Sequence, residues 1–397
     1  MAEHRARVLG AEEHDAAEKL FFESVHHQPP TGEQREHSQA SFQPGRAFGV
    51  FDNELIGTAR SMDTSLVVPG GSEVANAAVT EVGVRSDRTR RGVLRELMRT
   101  QLAECAERGV VTANLHASEG AIYGRFGYGP ATHACDCAVD RRRAVLRDNL
   151  PEGGEVERLE LDAAFARLPE VYSALPADRP GLVSRSAELW KVIRAFAAGP
   201  QSLVVPVVHH GSAGMDGFAI YEVQRTGERS QLIVQDLHAG TPQAFVGLWR
   251  YLLGVDLVDE IVARSRPLDE PTALLFTDPR VYRTEYARDE TWLRLVDVAG
   301  ALRAMRREGD PLVIEVNDRV LERNSGRYSV TPDAVNRTDE PADLWLDADT
   351  LAMIFLGTWS PSDLIEFGRI TVRTPGVAAA ADRLFGTRRA GWCGTFF

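Results

Sequence analysis

Arg90, Arg91, Gly92 and Arg95 are the residues whose types and spacing could do chemistry together. They stand where a β-rich run, residues 79–84, breaks at polar residues 85–89. The chain then enters a segment with apolar residues at Val93, Leu94, Leu97, Met98, Leu102, Cys105 and Ala106. That spacing predicts a helix, with Gly109 as its C-terminal cap. The first turn of such a helix leaves backbone N–H groups without intrahelical partners, and Gly92 lets a ligand reach them without meeting a Cβ. With three arginines beside it, the turn is an anion site suited to a pyrophosphate. The same local pattern also fits a plain strand, turn and helix with a solvated basic turn.

The following stretch bears on that choice. A second strand-like run, residues 110–117, leads into Ser118-Glu119-Gly120-Ala121-Ile122-Tyr123-Gly124-Arg125-Phe126-Gly127-Tyr128-Gly129-Pro130. Together with Arg90-Arg91-Gly92-Val93-Leu94, this stretch resembles the GNAT acetyltransferase superfamily, and more closely the Eis (enhanced intracellular survival) N-acetyltransferases of actinobacteria. The general GNAT loop begins with Gln or Arg and ends with Gly or Ala, whereas Thr89 and Leu94 stand at those places here. The long Ser-Glu-Gly motif is the more specific of the two.

Several roles are implied by the resemblance. Val82, Gly83 and Val84 would pair with the pantetheine arm of acetyl-CoA, the co-substrate. Arg90, Arg91, Gly92, Val93, Leu94 and Arg95 would hold its pyrophosphate, with Ser118 and Glu119 flanking it on the next strand. Tyr123 takes the family's proton-donor position, and a phenol with a pKa near ~10 stays protonated at neutral pH and can protonate a thiolate. Tyr128 is its rival. The terminal α-carboxylate of Phe397 would accept the proton of the incoming amine, with Glu81 or Glu119 next in line. Glu23 and His26 occupy the part of the chain that family members place beside the acceptor. The implied function is N-acetylation of a primary amine, an aminoglycoside or another polycationic amine, by direct transfer in a ternary complex. A protein lysine acceptor, or a degenerate enzyme serving as a binding protein for an apolar ligand, is the alternative. The family also implies a homo-oligomer, a hexamer.

The rest of the chain must position these groups. At 397 residues it exceeds one comfortable core. We expect a mixed α/β protein: a GNAT domain over residues 1–152, a second, degenerate GNAT-like domain over 153–288, and a sterol-carrier-like domain over 289–397. In the first, a helix over 11–28 precedes a polar stretch to residue 43, a hairpin of 47–51 with 55–59, and a strand over 64–68. The second should run as a strand at 156–161, helices at 162–168 and 169–175, a helix opening near 186, strands at 201–208, 217–223 and 231–237, and a helix over 242–253. Its loop 238–241 has no arginine pair. The third should contain strands at 291–298, 312–316, 326–330 and 343–346, with helices at 298–307 and 349–356. Its tail, Trp392-Cys393-Gly394-Thr395-Phe396-Phe397, is too apolar to leave in water and should be buried.

Composition excludes other classes. A net charge of −12 argues against nucleic acid, whose phosphates demand a basic footprint, and favours cationic substrates through the overall field. No apolar run approaches the ~20 residues that cross a bilayer. The N-terminal residues carry no apolar signal core, so a cytoplasmic protein is expected. Cys105, Cys135, Cys137 and Cys393 form no Cys-x-x-Cys pair, and no metal site is expected. Cys135 and Cys137 should share one strand face as small core residues.

Overall fold

The computed structural model describes residues 4–397 except 198–202 and 228. The N-terminal residues 1–3 and the expected strand start at Gln201 lie outside the described residues. The chain forms two compact units, each built from separated segments: Met1–His133, Ala177–Leu189 and Asp289–Phe397 in one, Ala134–Pro176 and Trp190–Arg288 in the other.

The first unit begins with strand β1 (Ala6–Val8) and helix α1 (His14–Ser24). A second helix, α2 (Glu33–Ala40), forms where the sequence suggested only a polar stretch. It has no apolar face to announce it, and polar contacts tie it down: Ser38 donates to Glu18, and Arg35 and Gln39 donate to Asp15. Strand β2 (Ala47–Asp52) turns at Asn53, which adopts a left-handed φ of 60°, into β3 (Glu54–Val67). The two strands expected at 55–59 and 64–68 are therefore one, because it pairs with β4 (Glu73–Val84) from Gly57↔Val84 to Val67↔Glu73, with one shift of register between Thr58 and Arg60. Helix α3 (Val93–Glu107) buries Val93, Leu97, Met98, Leu102 and Cys105, as the spacing predicts. It ends at Gly109, whose φ of 75° lets Val110 N–H return to Cys105. Strand β5 (Thr112–Leu115) and the short helix α4 (Gly120–Tyr123) follow.

The first sheet is closed by a distant segment. Trp292–Leu295 pairs antiparallel with β5 on one side and with Gly129–Pro130 on the other. Within that insert Arg294 is fully buried and bonds Asp318 at 2.6 Å, and Asp318 also accepts from Asn324 and from the backbone of Val320 and Leu321. Beyond it lies a five-stranded sheet, in the order 335–337, 326–330, 312–317, 344–347, 370–372, with helix Ala348–Phe355 buried along its length.

The second unit carries its own seven-stranded sheet, ordered 282–289, 133–140, 260–267, 229–239, 214–226, 204–211, 155–158. Cys135 and Cys137 are buried in it. Helix Leu161–Ala174 is continuous where two short helices were expected, with Pro169 inside it. Helix Pro242–Gly254 opens differently from α3: Thr241 accepts from Ala244 N–H and donates to Asp216, so that helix start is already capped and faces a carboxylate. Such an end cannot welcome an anion.

Removing one partner of a buried ion pair leaves an uncompensated charge, which costs about 3–5 kcal/mol. Asp318→Ala should therefore lower the melting temperature markedly, while adding Arg294→Met should recover only the part due to the stranded guanidinium, because the donors of Val320, Leu321 and Asn324 stay without their acceptor. An Asp318→Ala variant that melts like the parent would remove the pair from this account.

Candidate active site

The site is an opening in the first sheet. Strands β4 and β5 pair in parallel from Asn76↔Thr112 to Val79↔Leu115 and no further, although β4 continues to Val84. The closed end is fastened by a buried polar ladder: Asn76 donates to Asn114 at 2.8 Å and accepts from Thr112 at 2.9 Å. At the open end Thr58 pairs with Gly83 and Arg60 with Thr80, so Glu81 and Val82 together face Ala59. This is a β-bulge, and it forces Glu81 to a φ of 51°. Gly83 lies so close to α1 that a Cβ there would meet Ser24 Oγ at 2.6 Å.

One wall of the opening is the turn from β4 into α3. Gly92 has a φ of 91°, and no side chain caps the helix. The first-turn N–H groups thus remain available for a ligand. Arg85 is committed to Asp87 and Glu54, and Arg88 to Asp52 and Asp87. Arg90, Arg91 and Arg95 are exposed, and among the described residues no ion pair involves them. The opposite wall is Ser118, Glu119, Ile122, Tyr123 and Phe126. Between them lies a cleft of roughly 800 Å³, lined also by Val82, Gly83, Val84, Val93 and Leu94. Every residue assigned from sequence to the pyrophosphate, the pantetheine arm or the proton-donor role therefore borders one cleft.

Tyr123 is 5% exposed and Tyr128 fully buried, their rings 6.1 Å apart. Burial pushes the Tyr123 phenol above its ordinary value, while its hydrogen bond with Ser118 pulls the other way. Tyr128 is pushed up further by burial, and its hydroxyl has no partner. From α1 the cleft takes Ser24 and Val25. Glu23 is an exposed partner of Lys19, His26 is exposed at a φ of 60°, and neither is among the residues that line the cleft.

The glycines of the long motif do something other than approach a ligand. A Cβ on Gly127 would meet the Arg294 guanidinium at 2.9 Å, and one on Gly129 would strike the Asp349 carbonyl at 2.1 Å. They let the loop behind Tyr123 seat against the inserted strand and helix Ala348–Phe355.

The chain end is fastened within the same unit. Trp392 N–H donates to Pro180, Arg179 donates to Ala390, and Glu290 accepts from the N–H groups of Cys393 and Gly394 at 2.8 and 2.9 Å. Arg185 donates to Gly394 and to the Thr395 hydroxyl. Trp392, Cys393, Thr395 and Phe397 are buried as expected, but Phe396 is 61% exposed and supplies no shelter. The ring of Phe397 lies 4.8 Å from that of His116, just past the end of β5. Sequence reading missed Arg179, Arg185 and Glu290 altogether, since isolated charges scattered between positions 179 and 290 carry no pattern.

Among the described residues no group of three or more His, Cys, Asp or Glu could hold a metal ion, and no helix is long and apolar enough to cross a membrane.

Comparison with known proteins agrees with this architecture. Residues 5–131 and 181–295 each match an acetyltransferase (GNAT) domain, and residues 298–394 match a sterol carrier protein domain. An uncharacterized N-acetyltransferase of Streptomyces avermitilis is 35% identical over 91% of both chains. The N-acetyltransferase Eis of Mycobacterium tuberculosis is 33% identical over 84% of this chain and 83% of its own. The crystal structure of Eis1 from Mycobacterium abscessus superposes with a TM-score of 0.91 at 37% identity, covering 99% of this chain and all of that one. With its paired GNAT domains, its sterol-carrier-like third domain and this degree of identity, the chain belongs to the Eis family of GNAT N-acetyltransferases.

Proposed function

We propose that the enzyme transfers the acetyl group of acetyl-CoA directly to a primary amine within a ternary complex. The observation that carries this reading is the single cleft joining the uncapped arginine turn to Tyr123. Acetyl-CoA, when bound, supplies an activated thioester. The cradle suits its pyrophosphate: Gly92 has no Cβ, no side chain occupies the helix end, and Arg90, Arg91 and Arg95 supply charge. Residues 80–84 offer backbone groups on the side of β4 that lacks a strand partner, which suits the pantetheine arm. Ser118 and Glu119 flank it from the other wall.

No side-chain nucleophile is needed for this route. Tyr123, held protonated by burial, donates its phenolic proton where the thiolate departs. The Phe397 carboxylate accepts the proton that an ammonium must lose before its nitrogen can attack. A carboxylate is a weak base at an ordinary pKa of ~3.5, and an apolar setting such as the buried Trp392 and Phe397 rings strengthens it. The acidic charge of the chain favours aminoglycosides or other polycationic amines as acceptors, with protein lysine a further candidate. The family reading also carries a cytoplasmic homohexamer.

Gly92→Asp places a side chain and a like charge in the anion turn, so calorimetric titration with acetyl-CoA should show binding lost while the fold survives. Unchanged affinity would remove the turn from the mechanism. Tyr123→Phe should cut turnover by roughly 10² with little change in acetyl-CoA binding. If Tyr128→Phe does so instead, the two roles are exchanged. Residues appended after Phe397 should abolish CoA-thiol release across a panel of polycationic amines without affecting acetyl-CoA binding. Full turnover of the extended enzyme would place the base elsewhere, and inertness of the native enzyme toward the whole panel would sink the charge argument.

A further inference from the structure

His116 stands where three parts of the first unit meet, and each of its two ring nitrogens faces a backbone carbonyl oxygen. Nδ1 lies 2.9 Å from the backbone carbonyl of Glu290, and Nε2 lies 3.0 Å from the backbone carbonyl of Thr395. A carbonyl oxygen only accepts, and a neutral imidazole has one N–H to give. In the neutral ring one contact would bring two lone pairs together. Both hydrogen bonds exist at once only when both nitrogens are protonated.

We propose that His116 is a positioning residue, held as an imidazolium, that latches the C-terminal segment in place and releases it when the ring loses a proton. The latch joins the end of β5, the start of the inserted strand and the tail two residues before Phe397. The Phe396 and Phe397 rings lie 4.9 and 4.8 Å from the imidazole, centre to centre. The charged and titratable groups around the contact are consistent with a cation there. Glu290, on the inserted segment, holds its carboxylate on the N–H groups of Cys393 and Gly394. Arg185, from the 177–189 segment, is engaged with Gly394 and Thr395. The tail adds the Phe397 carboxylate and the Cys393 thiol, which burial keeps protonated. Glu119 is on the loop that follows His116 itself.

The sign follows from the hydrogen bonds. Two acceptors favour the charged ring, so the latch is complete at low pH and is lost as pH rises through the folded-state titration of His116. Its effect on turnover rests on the proposed role of the Phe397 carboxylate, whereas its effect on the tail does not.

The chain ends in Phe-Phe, a good substrate for carboxypeptidase A once it is free, so the latch can be read without any transfer assay. Release of phenylalanine from the intact enzyme, normalised to a Phe-Phe peptide at each pH, should rise about tenfold as His116 deprotonates. In His116→Gln, whose donors sit on a single nitrogen that cannot reach both carbonyls and which does not titrate, the normalised rate should be high and flat. Ring ¹⁵N spectra of the native enzyme, with the His116 signal identified by its absence in His116→Gln, should show both nitrogens protonated below the same transition. A neutral ring at pH 6, or a release rate with no pH dependence beyond that of the peptide, overturns the proposal. If the latch titrates as described but turnover does not fall with it, the latch stands and the assignment of the base to Phe397 fails.

Discussion

Beyond the Val79–Leu115 pair, β4 and β5 exchange no hydrogen bonds, and the cleft exists because β4 continues for five more residues with one edge unpaired. Unpaired backbone groups in a sheet interior are costly unless a ligand or water satisfies them, so the gap needs restraint from both ends. At the closed end, the Asn76, Asn114 and Thr112 ladder makes sliding of one strand past the other break buried polar contacts. At the open end the bulge turns β4 away, and its strained residue, Glu81, is held by Arg60 at 2.7 Å.

That buried pair belongs to a larger polar cluster. Arg60 also donates to Ser41, Glu18 accepts from Ser38, and His14 lies 3.9 Å from Glu81. Burial raises both carboxyls, with Arg60 opposing it, while burial and Arg60 together lower the His14 imidazole to about 4. His14 is therefore neutral near pH 7, and its proximity to Glu81 is not an ion pair there. Two acids share one cation in a nearly dry setting. The arrangement ties α1 and α2 to the bulge more through the cost of leaving any member alone than through net attraction. It is this cluster, not apolar burial, that explains a helix as polar as α2.

The chain from Asp289 onward contributes structure to the first unit. Strand Trp292–Leu295 completes the first sheet, Arg294 and helix Ala348–Phe355 fill the space vacated by Gly127 and Gly129, and the last residues are clasped by Glu290, Arg185, Arg179 and His116. The second unit, in contrast, repeats the strand and helix plan with the anion site closed by its own Thr241 and Asp216. The same local plan leaves a helix end open or closed to an anion according to what already sits on it.

Local chemistry made much of this legible in the sequence. The apolar spacing of α3, the glycine entering it and the arginines around it are short-range features, and so are the alternating strands and the apolar tail. The α2 helix and the undivided β3 were not, because polar tethers and a long strand partner override local propensity. Three things were decided only by tertiary structure: the gap between β4 and β5, the insertion of residues 292–295 beside a strand some 180 positions earlier, and the grip on the chain end. Each depends on pairing between residues far apart in the chain, where neither periodicity nor a motif relates one partner to the other. His116 shows the limit most plainly: nothing in its sequence neighbourhood relates it to Glu290 or Thr395, whose carbonyl oxygens face its two ring nitrogens.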